Sequence, residues 1–125
     1  MLRETEVENA PETAGRDDDE ALYCIACGAL VTRSRWRFTM NDDHEHVVFN
    51  PAGLVFRVLC FREAPGAAAI GPATGEFTWF RGFRWRVASC AGCGVQLGWR
   101  FEGKPFPRLF FGLDQARLST KPPPT

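Results

Sequence analysis

The stretch Val47-Val48-Phe49-Asn50-Pro51-Ala52-Gly53-Leu54-Val55-Phe56-Arg57-Val58-Leu59-Cys60-Phe61 decides the fold. Its flanks, residues 47–49 and 54–61, have the apolar, β-branched and aromatic makeup of strands. Between them Asn50-Pro51-Ala52-Gly53 is a turn, because Pro presets φ and Gly accepts a positive φ. The stretch is therefore a β-hairpin. The same signals repeat outward from it. Residues 36–40 alternate, residues 76–80 and 83–89 read as a second hairpin, and 95–101 and 109–113 as further strands. Residues 62–75 are rich in Pro, Gly and Ala and read as a long surface loop. Many short strands separated by turn signals make the chain all-β.

At 125 residues and 45% hydrophobic, the chain is long enough for one domain with a core and too short for two. No apolar run approaches the roughly 20 residues of a membrane span. The start, Met1-Leu2-Arg3, turns acidic at once and does not read as a signal peptide. A cytoplasmic protein without membrane contact is expected. Formal charge is zero but unevenly spread: residues 1–20 hold eight of the 15 acids and two of the 15 bases. Residues 1–20 are expected to be a disordered acidic tail, 21–119 the folded body, and 120–125 a second disordered end.

Cys24-Ile25-Ala26-Cys27 and Cys90-Ala91-Gly92-Cys93 are two Cys-x-x-Cys pairs, each followed by a glycine. Two such knuckles complete a tetrahedral set, Cys24, Cys27, Cys90 and Cys93, for a structural Zn2+. A cytosolic chain argues against disulfides, and the βαβ context of a redox motif is missing. The 62 residues between the pairs exceed the roughly 15–20 of a compact ribbon. The ion is thus expected to tie the start of the body to its far half. Cys60 reads as a core filler.

Three of the four tryptophans, Trp79, Trp85 and Trp99, crowd together. Strand spacing pairs Phe77 with Trp79 and Trp99 with Phe101 on common faces. An odd-numbered hairpin loop centred on Gly82 sets Trp79 opposite Trp85. Three indoles serve equally as plain core. Tryptophan is rarely fully buried, however, and three indole walls leave a slot for a flat guest. Quaternary ammonium ions suit such cages. Glu76 and Glu102 alternate to the other face, so no carboxylate is expected beside the indoles, which favours a neutral ring. His44 and His46 receive no role.

With these residues in place, the sequence resembles the CULT domain, the thalidomide-binding domain of cereblon, in its short stand-alone bacterial form. The matching residues are Cys24-x-x-Cys27, Asn50-Pro51-x-Gly53, Trp79-Phe80-x-Gly82-x-x-Trp85, Cys90-x-x-Cys93, Leu97-Gly98-Trp99-x-Phe101 and Phe111-Gly112-Leu113. The resemblance implies a β-tent, two antiparallel sheets pinned by a four-cysteine zinc site. It also implies a non-enzymatic pocket for cyclic imides such as glutarimide and succinimide, or uridine-like rings. Trp79, Trp85 and Trp99 would be its walls and Phe101 its base. Asn50 would reach the ligand, and the backbone near Phe77 and Trp79 would bond the imide edge. Phe56 and Phe77 stand where the human member of the family has histidines, which puts ligand preference in doubt. The resemblance does not extend to the large N-terminal domain that recruits a ubiquitin ligase, so ubiquitin-ligase partners are not expected. Candidate physiological ligands are a nucleoside breakdown product or a protein C-terminal cyclic imide.

Two rival functions are weaker. A methionine sulfoxide reductase B-like enzyme has similar paired zinc knuckles. Its nucleophilic cysteine would fall near Gly112, where there is none, and sulfoxide reduction needs a thiolate. A nucleic-acid-binding zinc domain would use Arg33, Arg35, Arg37, Arg57, Arg62, Arg81, Arg84, Arg86 and Arg100, but these form no single basic run.

Overall fold

A computed structural model describes residues 19–122. The expectations for residues 1–18 and 123–125 lie outside the described residues. Nine strands run in order: β1 (Ala21–Cys24), β2 (Leu30–Arg33), β3 (Glu45–Phe49), β4 (Val55–Phe61), β5 (Ala67–Thr74), β6 (Phe83–Cys90), β7 (Gln96–Gly103), β8 (Leu109–Asp114) and β9 (Leu118–Ser119). They form two antiparallel sheets. The smaller has the order β9-β1-β2 and the larger β3-β4-β8-β7-β6-β5. The all-β expectation of two antiparallel sheets is met.

The first hairpin folds as its turn chemistry dictates. Phe49 pairs with Val55, the Asn50 N–H donates to the Leu54 carbonyl (3.0 Å), and the Gly53 N–H donates to the Asn50 carbonyl (2.9 Å). Its alternation then sorts two faces. Val58 and Cys60 are fully buried on one, while Val55 and Arg57 are exposed on the other.

Two cores follow from this sorting. Leu22 and Val31 of the small sheet pack with Phe61, Ala88, Leu97 and Leu113 of the large one, so burial of apolar area joins the sheets. The other cluster lies on the large sheet's opposite face, where Phe101 and Phe110 stack at 5.0 Å with Phe80 edge-on to both. Trp79, Trp85 and Trp99 pack against this second cluster.

Three segments differ from expectation. Residues 67–74, expected as loop, are the edge strand β5, with Ala67 opposite Cys90 and Ile70 opposite Val87. Main-chain pairing to β6 holds this segment, while Gly71-Pro72 falls in the register break between Ile70 and Thr74. Residues 76–80, expected as a strand, are instead part of the connection from β5 to β6. The place beside β6 is already taken by β5, so Trp85 lies opposite Thr74 and Phe101, not opposite Trp79. Residues 36–40, also expected as a strand, make only isolated bridges, Arg37 to Phe61 and Met40 to Asp43. A tight turn at 40–43 delivers β3 to the β4 edge they would have used.

Asp19 and Glu20, expected within the disordered tail, hold defined contacts. Asp19 lies 3.7 Å from Arg33 and 3.6 Å from Arg35, and the Glu20 carbonyl accepts the Ser34 N–H at 2.8 Å.

Candidate functional site

The two knuckles repeat one backbone pattern. The Gly28 N–H donates to the Cys24 carbonyl and the Gly94 N–H to the Cys90 carbonyl, both at 2.8 Å. Gly28 and Gly94 hold φ of 81° and 83°, which favours glycine. Each turn thereby aims two sulfurs at one point. Cys24 Sγ lies 3.8 Å from Cys93 Sγ and Cys27 Sγ lies 3.6 Å from Cys90 Sγ; all four are within 4.8 Å of one another. A tetrahedral ion with metal–sulfur bonds near 2.3 Å needs sulfur–sulfur distances of about 3.8 Å. Disulfides, at about 2.05 Å, are excluded. The donor set fits a metal ion.

Protons are unevenly shared among the thiols. For Cys90, burial is outweighed by hydrogen bonds from backbone N–H groups and neighbouring thiols, and its pKa falls to about 7. For Cys27, the Ala29 N–H lowers the value, but burial and the other three thiols push it up to about 12. Four thiolates this close need a cation to hold their charge.

The large sheet's second face bears a half-open cavity of about 520 Å³. Asn50, Phe56, Phe77, Trp79, Trp85 and Trp99 all line it. Phe101 does not; at 1% exposure it lies in the aromatic cluster on which the indoles rest. Trp79 and Trp99 meet edge-on at 4.7 Å, and Phe56 sits 5.3 Å from Trp99 and 6.2 Å from Trp79. The indoles therefore assemble without the hairpin register expected for Trp79 and Trp85. Trp79 Nε1 donates to the Phe49 carbonyl (3.0 Å), and Trp85 Nε1 donates to the Glu76 carbonyl (2.7 Å). These bonds anchor the β5–β6 connection and spend two indole donors on the protein itself. What those walls offer a guest is mostly π-face.

Phe77 is 70% exposed and holds φ of 56°, the left-handed region unusual for a side chain of its size. Asn50 Oδ1 accepts the Leu54 N–H at 2.9 Å, so its amide NH2 is the group left to present. Trp36, the fourth tryptophan, lies elsewhere, under the Arg35 guanidinium.

Sequence reading missed the polar end of the cavity: Gln96, Asp114 and Arg117. The expectation of no carboxylate beside the indoles is thereby corrected. Glu102 does point away, to Arg100 at 3.1 Å, but Asp114 lines the cavity. Alternation from Gly112 puts Asp114 on the cage face, a signal that needs the β7–β8 register, Trp99 opposite Gly112. Asp114 also caps the Gln115–Arg117 turn through the Ala116 N–H at 3.0 Å.

The enzymatic rival finds no nucleophile at its position. A Cβ on Gly112 would meet Val58 Cγ1 at 2.7 Å and Phe101 Cε2 at 2.9 Å. Cys60, opposite Gly112, is fully buried, and burial pushes its thiol up to about 12. The arginines are dispersed: Arg33 and Arg35 lie on Asp19, Arg57 on Glu45, Arg86 and Arg100 on Glu102. Burial holds His44 below the usual imidazole range, and it bonds the Phe38 carbonyl; His46 bonds the Asp43 carbonyl. No helix among the described residues is long and apolar enough to cross a membrane.

A fold of two antiparallel sheets with a four-cysteine cluster and an aromatic cavity defines a small β-tent binding module. No family model matches the chain. Curated relatives do. Cereblon of Xenopus tropicalis is 34% identical over 77 residues, 59% of this chain and 17% of that protein. Cereblon of Drosophila willistoni is 32% identical over 106 residues, 77% of this chain and 17% of that protein. Cereblon of Gallus gallus is 31% identical over 77 residues, with shares of 59% and 17%. The chain thus spans about 17% of the length of these relatives. The chain is a cereblon-like CULT domain.

Proposed function

We propose that this domain is a non-enzymatic binding module that captures an uncharged cyclic imide, of the glutarimide, succinimide or thalidomide type, or a uridine-like ring. The observation that supports this best is the gathering of Trp79, Trp85, Trp99 and Phe56 around one cavity. With Trp79 and Trp85 donors already engaged, those walls suit C–H and π contacts. An imide edge reads C=O, N–H, C=O, which main-chain groups near Phe77 and Trp79 can match. Aromatic walls exclude water and strengthen such bonds. The Asp114 charge is countered by Arg117, at 3.9 Å, which keeps the cavity suited to a neutral guest. Cys24, Cys27, Cys90 and Cys93 hold a structural Zn2+, whose closed tetrahedral set leaves no position for catalysis. A reducing cytoplasm keeps those thiols available.

The test is a tryptophan-fluorescence titration with glutarimide. Saturable quenching is expected. Trp99→Ala or Trp85→Ala should cost about 2 kcal/mol or more, as for a caged aromatic anchor, and Asn50→Ala less. Glutarimide affinity unchanged in Trp99→Ala would sink the reading.

A further inference from the structure

The cavity is longer than the cage. Its volume, about 520 Å³, falls in the range of about 300–1,000 Å³ that accommodates drug-sized molecules, a class larger than one imide ring. Strand register sets the order along the sheet face beneath it. Phe101 lies opposite Trp85 and Phe110, and the next row along the same face holds Trp99, Val87 and Gly112. Asp114 follows Gly112 by two residues, about 7 Å further along the strand. Beside it, Arg117 Nη1 donates to the Gln96 carbonyl at 3.2 Å, and Gln96 and Arg117 both line the cavity.

The polar end is only half closed upon itself. Asp114 Oδ1 is engaged by the Ala116 N–H, whereas Oδ2 stands 3.9 Å from Arg117 Nε, beyond hydrogen-bond length. The Asp114 side chain is 12% exposed and that of Arg117 is 44% exposed. An acceptor and a multiple donor thus face one space. An anion there meets the Asp114 charge and a cation meets Arg117. A neutral group that both donates and accepts satisfies the two at once.

We infer that the cavity is a two-part site: the tryptophans take the ring, and Asp114 with Arg117 takes a neutral donor–acceptor group that the ring carries. This rests on the ring reading above and extends it to the rest of the ligand. Two sources share the chemistry, the hydroxyls of a pentose and the amide of a peptide chain. Uridine carries the first on its ring and 3-acetamidoglutarimide the second.

Calorimetric titration of the full chain with uracil against uridine, and glutarimide against 3-acetamidoglutarimide, tests this. At least one substituted ring should bind tenfold or more tighter than its bare parent. In Arg117→Ala and in Asp114→Asn that ratio should fall to within threefold, whereas Trp99→Ala weakens both members of a pair. A gain only with uridine identifies a pentose, and a gain only with the acetamide identifies a peptide. Equal affinities within both pairs, or a ratio that survives both substitutions, overturns the two-part site and leaves the cage standing. Failure of all four rings to bind removes the cage reading, and this one with it.

Discussion

At the scale of the residue, Phe77 concentrates the tension between fold and function. An L-residue in the left-handed region costs about 1–2 kcal/mol, and an exposed phenyl ring recovers little of that by burial. Phe77→Gly removes the strain, less the extra freedom glycine has when unfolded, about 0.5–1 kcal/mol. The net gain is about 0–1.5 kcal/mol, read as a rise in Tm, while glutarimide affinity falls because a cavity wall is lost. A lower Tm would show that the Phe77 ring stabilises the fold. The three indoles of the cavity were legible in the chain because tryptophan is rare and clusters visibly, whereas Asn50 and Phe56 were legible only through the family resemblance. The conformation of Phe77 was not, since nothing in Glu76-Phe77-Thr78 announces a positive φ. Asp114 and Arg117 were not legible as cavity residues, because a carboxylate beside an arginine on a turn reads as ordinary surface.

At the scale of the element, the hairpins show what periodicity can and cannot do. β3–β4 was legible because side-chain character and Asn-Pro-x-Gly agree on one answer. β5 was not, because Ala-Ala-Ala-Ile-Gly-Pro has neither alternation nor β-branched bulk except at Ile70; its pairing comes from the open main chain of β6. Residues 76–80 look like the partner of β6 because Phe77 and Trp79 alternate and Gly82 offers a turn, yet β5 holds that edge. The contact between β4 and β8 makes a sharper demand. Gly112 lets Val58 and Phe101 close over it. Gly112→Ala forces those groups apart and should cost about 1–3 kcal/mol, seen as a lower urea midpoint with unchanged slope. A neutral result would show that the row between Cys60 and Trp99 has slack.

At the scale of the whole molecule, the four cysteines join what the strands keep separate. Cys24 and Cys27 end or follow β1 in the small sheet, while Cys90 and Cys93 do the same for β6 in the large one. Binding energy from such an ion is folding energy. Stripping it with a chelator should abolish near-ultraviolet circular dichroism and glutarimide binding in one transition. The same loss should come with acid, because protons compete for thiolates as pH falls. A stripped chain that still binds the ring would show that the sheets hold each other by apolar contact alone.

The bond from the Trp79 indole to the Phe49 carbonyl reaches further than the cavity. β3 is an end strand, and Val47, Phe49 and Val55 leave apolar side chains in water beside it. Such an edge is a template on which another extended chain can polymerise. By occupying the last outward carbonyl, Trp79 shortens that template by one bond, so the residue that walls the cavity also trims the open edge.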